Sequence, residues 1–148
     1  MAIVHTPGGE RSVSLFERTK APRNRDQAAA LNQMADALCF SEPGDTTAAC
    51  LEDGRLLGAV CWRPRHFGAT LVCNLGSARQ GLGTLLLAQA AADAAGRGEG
   101  LTLEAVPSAV GFYERLGFTN PGRPGRGGLS YTLDPQATAA FARQALAA

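Results

Sequence analysis

The stretch NLGSARQGLGTLLLAQAAADAAG (74–96) sets Gly76, Gly81 and Gly83 directly ahead of a leucine- and alanine-rich run. That run reads as helix, with Leu82, Leu85 and Leu86 spaced to form one buried face, and "GRGEG" (96–100) closes it with glycine. The segment before the glycines, "ATLVCNL" (69–75), reads as a strand. Glycine costs backbone entropy on folding, so a cluster at a helix entrance implies a sharp turn or a backbone that something approaches closely. Strand, glycine turn and helix together form an arrangement that receives phosphate, because N–H groups at a helix N-terminus point at the anion and the dipole favours negative charge. A P-loop is excluded: Gly76 and Gly81 have its spacing, but Leu82 and Gly83 stand where lysine and a hydroxyl must be. A dinucleotide fingerprint is excluded too, because Leu86 occupies the third glycine position. What remains is a metal-free diphosphate cradle of backbone N–H groups over residues 79–84, with Arg79 adding charge; this stretch alone leaves a ligand-free tight turn as the alternative.

Working outward, the C-terminal side continues with a strand "LTLEAV" (101–106), a short helix "SAVGFYERLG" (108–117), and a glycine-proline loop "NPGRPGRGG" (120–128). A last strand "LSYTL" (129–133) and a helix (135–148) follow. On the N-terminal side, "TTAACLEDGRLLGAVCWRP" (46–64) is a hairpin about Asp53-Gly54. A two-residue turn there predicts Cys50 opposite Leu57 and Cys61 opposite Thr46. It also puts Ala49, Leu51, Leu56, Val60 and Trp62 on one face and Cys50, Leu57, Ala59 and Cys61 on the other. Both faces are apolar, which predicts a sheet covered on both sides. A helix over residues 26–40 and a first strand "SVSLFER" (12–18) complete the order.

The 148 residues are the length of one domain, and 45% hydrophobic with 18% charged residues is ordinary globular composition. A formal net charge of +1 gives no general attraction to nucleic acid or anionic membrane. No apolar run approaches the ~20 residues of a membrane span, and no signal-peptide core is present, so the expected compartment is the cytoplasm. Cys39, Cys50, Cys61 and Cys73 contain no C-x-x-C pair, which predicts reduced, mostly buried thiols and no metal.

"LTLEAVPSAVGFYERLGF" (101–118), together with the Gln80-Gly81-Leu82-Gly83 turn, resembles the GNAT family of N-acetyltransferases, and within it the corresponding segment of glucosamine-6-phosphate N-acetyltransferases. The likeness is specific over residues 70–118 and extends back to Thr46. It implies a single mixed α+β domain of three layers, with a mostly antiparallel central sheet splayed between its fourth and fifth strands and helices on both faces. Acetyl-CoA, as co-substrate, would lie in that opening. Backbone at Cys73, Asn74 and Leu75 would pair with its pantetheine arm, and Arg79, Gln80, Gly81, Leu82, Gly83 and Thr84 would hold its diphosphate. Tyr113 matches the family tyrosine whose hydroxyl lies near the cofactor sulfur; a phenol there can protonate the departing thiolate.

The sequence departs from the family pattern in three places. Ala78 stands at the first turn position, the asparagine often found before the short helix is missing, and Val72, Cys73 and Asn74 replace the acids that sugar-phosphate members carry. The aminosugar acceptor is therefore not carried over. An amine acceptor must lose a proton, and Glu104 on the fifth strand is the first candidate base, with His66 second. Arg123 and Arg126, in the loop that borders the family's acceptor site, offer contacts to an anionic acceptor, with a solvated glycine-proline loop as the favoured alternative.

The expected activity is acetyl transfer to a primary amine of a small molecule or protein. A catalytically silent acyl-CoA-binding sensor is the alternative, and a nucleic-acid binder using "RTKAPRNR" has the least support. The C-terminal helix is left either packing on the sheet or joining a homodimer.

Overall fold

The computed structural model describes residues 2–6, 9–17, 45–52, 55–77, 81–120, 124–125 and 128–147. These form an eight-stranded sheet in the order β1-β2-β3-β4-β5-β6-β8-β7. Its strands are β1 Ala2–Thr6, β2 Gly9–Glu17, β3 Thr46–Glu52, β4 Arg55–His66, β5 Ala69–Ser77, β6 Leu101–Ala105, β7 Pro124–Gly125 and β8 Gly128–Leu133. The helices are α1 Leu82–Gly96, α2 Val110–Arg115, which comes after a 3-10 turn at Pro107–Ala109, and α3 Pro135–Leu146. Every neighbouring pair is antiparallel except β5 and β6, which run parallel because α1 crosses between them. The mixed α+β class is as expected. The splayed strands are β5 and β6 here, because β1 precedes the first strand read from the sequence.

The hairpin of β3 and β4 departs from its expected register. Glu52 faces Arg55 and Leu51 faces Leu56, but the ladder then shifts so that Cys50 faces Gly58 and Cys61 faces Thr47. Leu57 is the extra residue of a β-bulge, and a one-residue insertion moves every later side chain to the other face. Ala48, Cys50, Val60 and Trp62 therefore share the buried core with α1, while Thr47 and Cys61 are buried on the opposite face. Burial on both faces of the sheet is as expected; the grouping of residues between them is corrected. The helix expected over residues 26–40 lies outside the described residues.

Helix α1 is buried almost all round: Leu82, Leu86, Leu87, Ala88, Ala90, Ala91 and Ala94 are all covered. Its apolar positions thus exceed one face, because it lies between β4 and β5 on one side and α3 on the other. Alanines let α3 approach closely, and each fully buried leucine contributes about 1.5–3 kcal/mol. Helix α3 starts at Asp134, whose carboxylate accepts the Ala137 N–H at 2.7 Å, with Pro135 at the first helical position. It buries Thr138 and Ala142, and so packs within this chain. In β7, Pro124–Gly125 pair with the start of β8, inside the segment read as a loop.

The end of the sheet at the C-terminus of α1 is pinned by polar contacts. Trp62 Nε1 donates to Asp93 at 2.7 Å, and Asp93 also pairs with Arg97. Arg97 reaches Thr70 Oγ1 at 2.7 Å and Glu99 at 3.3 Å, and Thr70 Oγ1 donates to Glu99 at 2.8 Å. The Thr70 N–H donates to the Gly100 carbonyl at 2.9 Å, which ties the start of β5 to the residue before β6.

Candidate active site

Strands β5 and β6 pair only at Thr70–Leu101 and Leu71–Thr102. Beyond these rows β5 continues to Ser77 along β4, and β6 to Ala105 along β8, so the two strands part. The β6-facing edge of β5 therefore carries backbone N–H and C=O groups that take no strand partner among the described residues, a ready template for an extended ligand. Cys73, Asn74 and Leu75 lie on that stretch. At Cys73 the β4–β5 ladder shifts again: Cys61 faces Asn74 and Trp62 faces Val72, leaving Cys73 as the extra residue of a second bulge.

At the open end, Gly81 caps α1 with φ +84° and ψ −23°, the left-handed region that glycine enters without steric cost. Its carbonyl accepts the first helical bond, from the Leu85 N–H, so the amides of Gly81, Leu82, Gly83 and Thr84 have no intrahelical acceptor. No side chain caps this end and no acidic residue occupies the first turn. Leu82 is buried and anchors the turn to the core, while Gly81 is exposed. These features fit an anion such as the diphosphate of acetyl-CoA. Ala78, Arg79 and Gln80 lie outside the described residues.

Tyr113 sits on α2, beyond the C-terminal end of β6. The helix closes with a Schellman motif: the Phe118 N–H bonds to the Tyr113 carbonyl and the Gly117 N–H to the Glu114 carbonyl, both at 3.1 Å, with Gly117 at φ +97°. The same reversal brings the Phe118 ring edge-on to Tyr113 at 5.5 Å, while Phe112 flanks it at 5.1 Å. The tyrosine ring is thereby buried, and its hydroxyl takes no hydrogen bond from the described residues. Burial pushes the phenol above its ordinary range, so it keeps its proton at neutral pH.

Glu104 is exposed on β6, opposite Ser130 of β8 and on the face away from Leu103 and Ala105, which join the core beside α1. It therefore borders the opening on the other side of the sheet from α1. His66 is not brought there. It ends β4 beside the turn at Phe67, stacked edge-on at 4.8 Å, and lines a shallow cavity with Ala69, Thr102 and Pro135. That is the paired end of β5, the length of the strand away from Gly81, because the β4–β5 turn and the glycine turn lie at opposite ends of β5. The second candidate base is corrected accordingly. Arg123 and Arg126 lie outside the described residues.

The sequence model of the acetyltransferase (GNAT) domain matches residues 18–130. The chain belongs to the GNAT acetyltransferase family. By class it is an N-acetyltransferase. No curated protein matches it by sequence.

Among solved structures it is similar to an acyl-CoA N-acyltransferase from Pseudomonas aeruginosa, at 21% identity and TM-score 0.60, covering 82% of this chain and 99% of that one. It is also similar to the aminoglycoside 6'-N-acetyltransferase from Enterococcus faecium, at 16% identity and TM-score 0.63, covering 84% and 97%. A protein from Bacillus anthracis described as a streptothricin acetyltransferase, in complex with acetyl coenzyme A, matches at 20% identity and TM-score 0.55, covering 64% and 65%. At these identities the likeness is one of fold.

The structure of this acetyltransferase adds a cluster that the sequence reading misses. On the face of the sheet away from α1, Cys61 and Cys73 both lie 3.8 Å from Asp45 Oδ2. Arg63 grips the same carboxylate with two bonds, of 3.0 and 3.2 Å. The two thiols are coupled through their mutual contact, so ionisation of one opposes ionisation of the other. No sequence spacing signals this contact: a turn centred between Phe67 and Gly68 puts Cys61 opposite Asn74, and only the bulge at Cys73 adds the second thiol. Weighing only Cys50 against Cys61 overlooks it. Among the described residues no helix is long and apolar enough to cross a membrane.

Proposed function

We propose that this domain transfers the acetyl group of acetyl-CoA to a primary amine of a small molecule or protein. The observation that carries the reading is the parting of β5 from β6 immediately ahead of an uncapped, glycine-led helix N-terminus, in a chain of the acetyltransferase family. The co-substrate supplies an activated thioester; the chain holds and orients it. Backbone at Cys73–Leu75 offers strand-like hydrogen bonds to the pantetheine arm, and the amides from Arg79 to Thr84 receive the diphosphate.

Tyr113, clamped between two phenyl rings with its proton retained, gives that proton or a hydrogen bond to the departing sulfur. Glu104, on the opposite side of the sheet from α1, takes a proton from the acceptor amine, directly or through water. The local likeness of residues 101–118 to aminosugar-phosphate enzymes does not extend to the acceptor, because β5 carries Val72, Cys73 and Asn74 where those enzymes carry acids. The acetyl-CoA-bound relative and the aminoglycoside-acetylating relative support the co-substrate and the amine class.

The test is calorimetric titration with acetyl-CoA followed by thiol release with a panel of amines. Binding with amine-dependent release is expected. Tyr113→Phe should then lower kcat by about 10²-fold, the usual worth of a positioned acid, while leaving acetyl-CoA affinity unchanged. Binding with no release across the panel would replace this reading with that of a silent acyl-CoA sensor, a reading motivated by Ala78 in the turn.

A further inference from the structure

We propose that Asp45, Cys61 and Cys73 form a site for a thiolate-preferring divalent cation, zinc being the ion whose coordination the donors fit. The two sulfurs and the carboxylate oxygen come from three places in the chain, yet these ligand atoms all lie within 4.8 Å of one another. In tetrahedral zinc, with Zn–S of about 2.3 Å and Zn–O of about 2.1 Å, neighbouring donors are about 3.6 Å apart. The separation of 3.8 Å from Asp45 Oδ2 to each sulfur is already close to that edge. Only a small contraction is required of the cluster.

A second observation points to a ligand here. Thr47 is 1% exposed and is the cross-strand partner of Cys61; its Oγ1 makes no well-formed hydrogen bond among the described residues, yet it lies near enough to the Cys61 sulfur to favour the thiolate there. A buried hydroxyl with only a thiol beside it is better satisfied by a stronger acceptor. Beside a metal-bound thiolate it has an acceptor, and beside a water in the fourth coordination position it has a partner. Arg63, held on Asp45 by two hydrogen bonds, orients that ligand in the way outer partners orient metal-binding carboxylates. Two thiolates with one oxygen donor select zinc over magnesium or calcium, which take oxygen ligands. The site lies on β4, the bulge of β5 and the residue before β3, so an ion would fasten three segments on the face away from α1. It does not depend on the acetyl-transfer reading.

The experiment uses the reduced, metal-stripped full chain, titrated with Co²⁺ as a spectroscopic probe and then with Zn²⁺ in competition with a chromophoric chelator. We expect one Co²⁺ per chain, with visible bands of tetrahedral geometry and a thiolate charge-transfer band, displaced by Zn²⁺. Cys61→Ser and Cys73→Ser should each weaken binding by more than 100-fold, and Thr47→Val by roughly 10-fold, the usual range for an outer-shell partner. Cys50→Ser, on the α1 face, should change nothing.

Should the serine variants fail to fold, alkylation of wild type read by mass spectrometry provides the decision: Zn²⁺ must slow modification of Cys61 and Cys73 and leave Cys50 unaffected. No cobalt bands from a folded, reduced chain would overturn the site. So would undiminished binding in folded Cys61→Ser and Cys73→Ser variants, or alkylation rates of Cys61 and Cys73 indifferent to Zn²⁺.

Discussion

The two ends of the β5–β6 pair are built differently. At the paired end, Thr70, Asp93, Arg97, Glu99 and Trp62 form a closed polar network, and the Gly100 carbonyl takes the Thr70 amide. At the other end the strands part, the helix N-terminus has no side-chain cap, and Gly81 adopts a conformation that other residues resist. One end has its hydrogen-bonding groups satisfied by the protein; the other leaves backbone groups for a partner. On the proposed function, stability and ligand recognition are separated along a single strand, so substitutions at the two ends should fail in different assays.

The largest effect is expected from Gly100→Ala. A Cβ there would meet the Leu133 carbonyl oxygen at 2.3 Å, with Asp134 and Pro135 backbone at 3.1 and 3.2 Å, so backbone rather than a flexible side chain must move. A loss of about 3 kcal/mol, or about 9 °C in Tm by calorimetry, is predicted. Acetyl-CoA affinity of the folded fraction should be unchanged; a selective loss of affinity would erase the division between the ends.

Gly81→Val tests the other end. Forcing a side chain into the left-handed region costs about 1–2 kcal/mol, and titration should show acetyl-CoA binding weakened by at least about 10-fold, beyond what the loss of stability explains. Affinity equal to wild type would remove the turn from the site.

Glu99→Gln sharpens the contrast with pH. Desolvation would raise this carboxyl, but hydrogen bonds from Thr70, the Arg65 N–H and Arg97, with the charge of Arg97, outweigh it and hold the pKa below the usual range. A depressed folded value means stabilisation that is full above the unfolded pKa of about 4.3 and is lost as pH falls through the lower folded value. The Tm difference between wild type and the variant, about 3 °C at pH 7, should therefore shrink progressively as pH falls below the unfolded pKa of about 4.3. A difference constant with pH would mean that packing, not ionisation, accounts for the contact.

Much of this is legible in the sequence because local chemistry decides it. The glycine-led α1, the Gly117-Phe118 stop after Tyr113 and Asp134 ahead of Pro135 all act within a few residues of themselves. The features that escape depend on partners distant in the chain. The bulges at Leu57 and Cys73 carry no residue signature and invert the faces of the residues beyond them, so simple alternation groups Cys50 with Cys61 although they lie on opposite sides. Strand β1 escapes because AIVHT is short and takes its definition from pairing with β2. Leu87 is left off the buried face in the sequence reading, yet it is buried, because α1 packs against both the sheet and α3. The Asp45–Cys61–Cys73 cluster joins residues on separate segments that only the β4–β5 register brings together.

The bulge at Cys73 also bears on how the chain avoids closing on itself. Two parallel strands with matched hydrogen-bonding edges tend to zip along their whole length, which would fill the cleft with the protein's own backbone. The extra residue falls just past the last paired row, Leu71–Thr102, and puts the remainder of β5 out of phase with β6. It acts as a dropped stitch: one additional amino acid keeps the edge of β5 open to a strand-like guest and closed to the neighbouring strand.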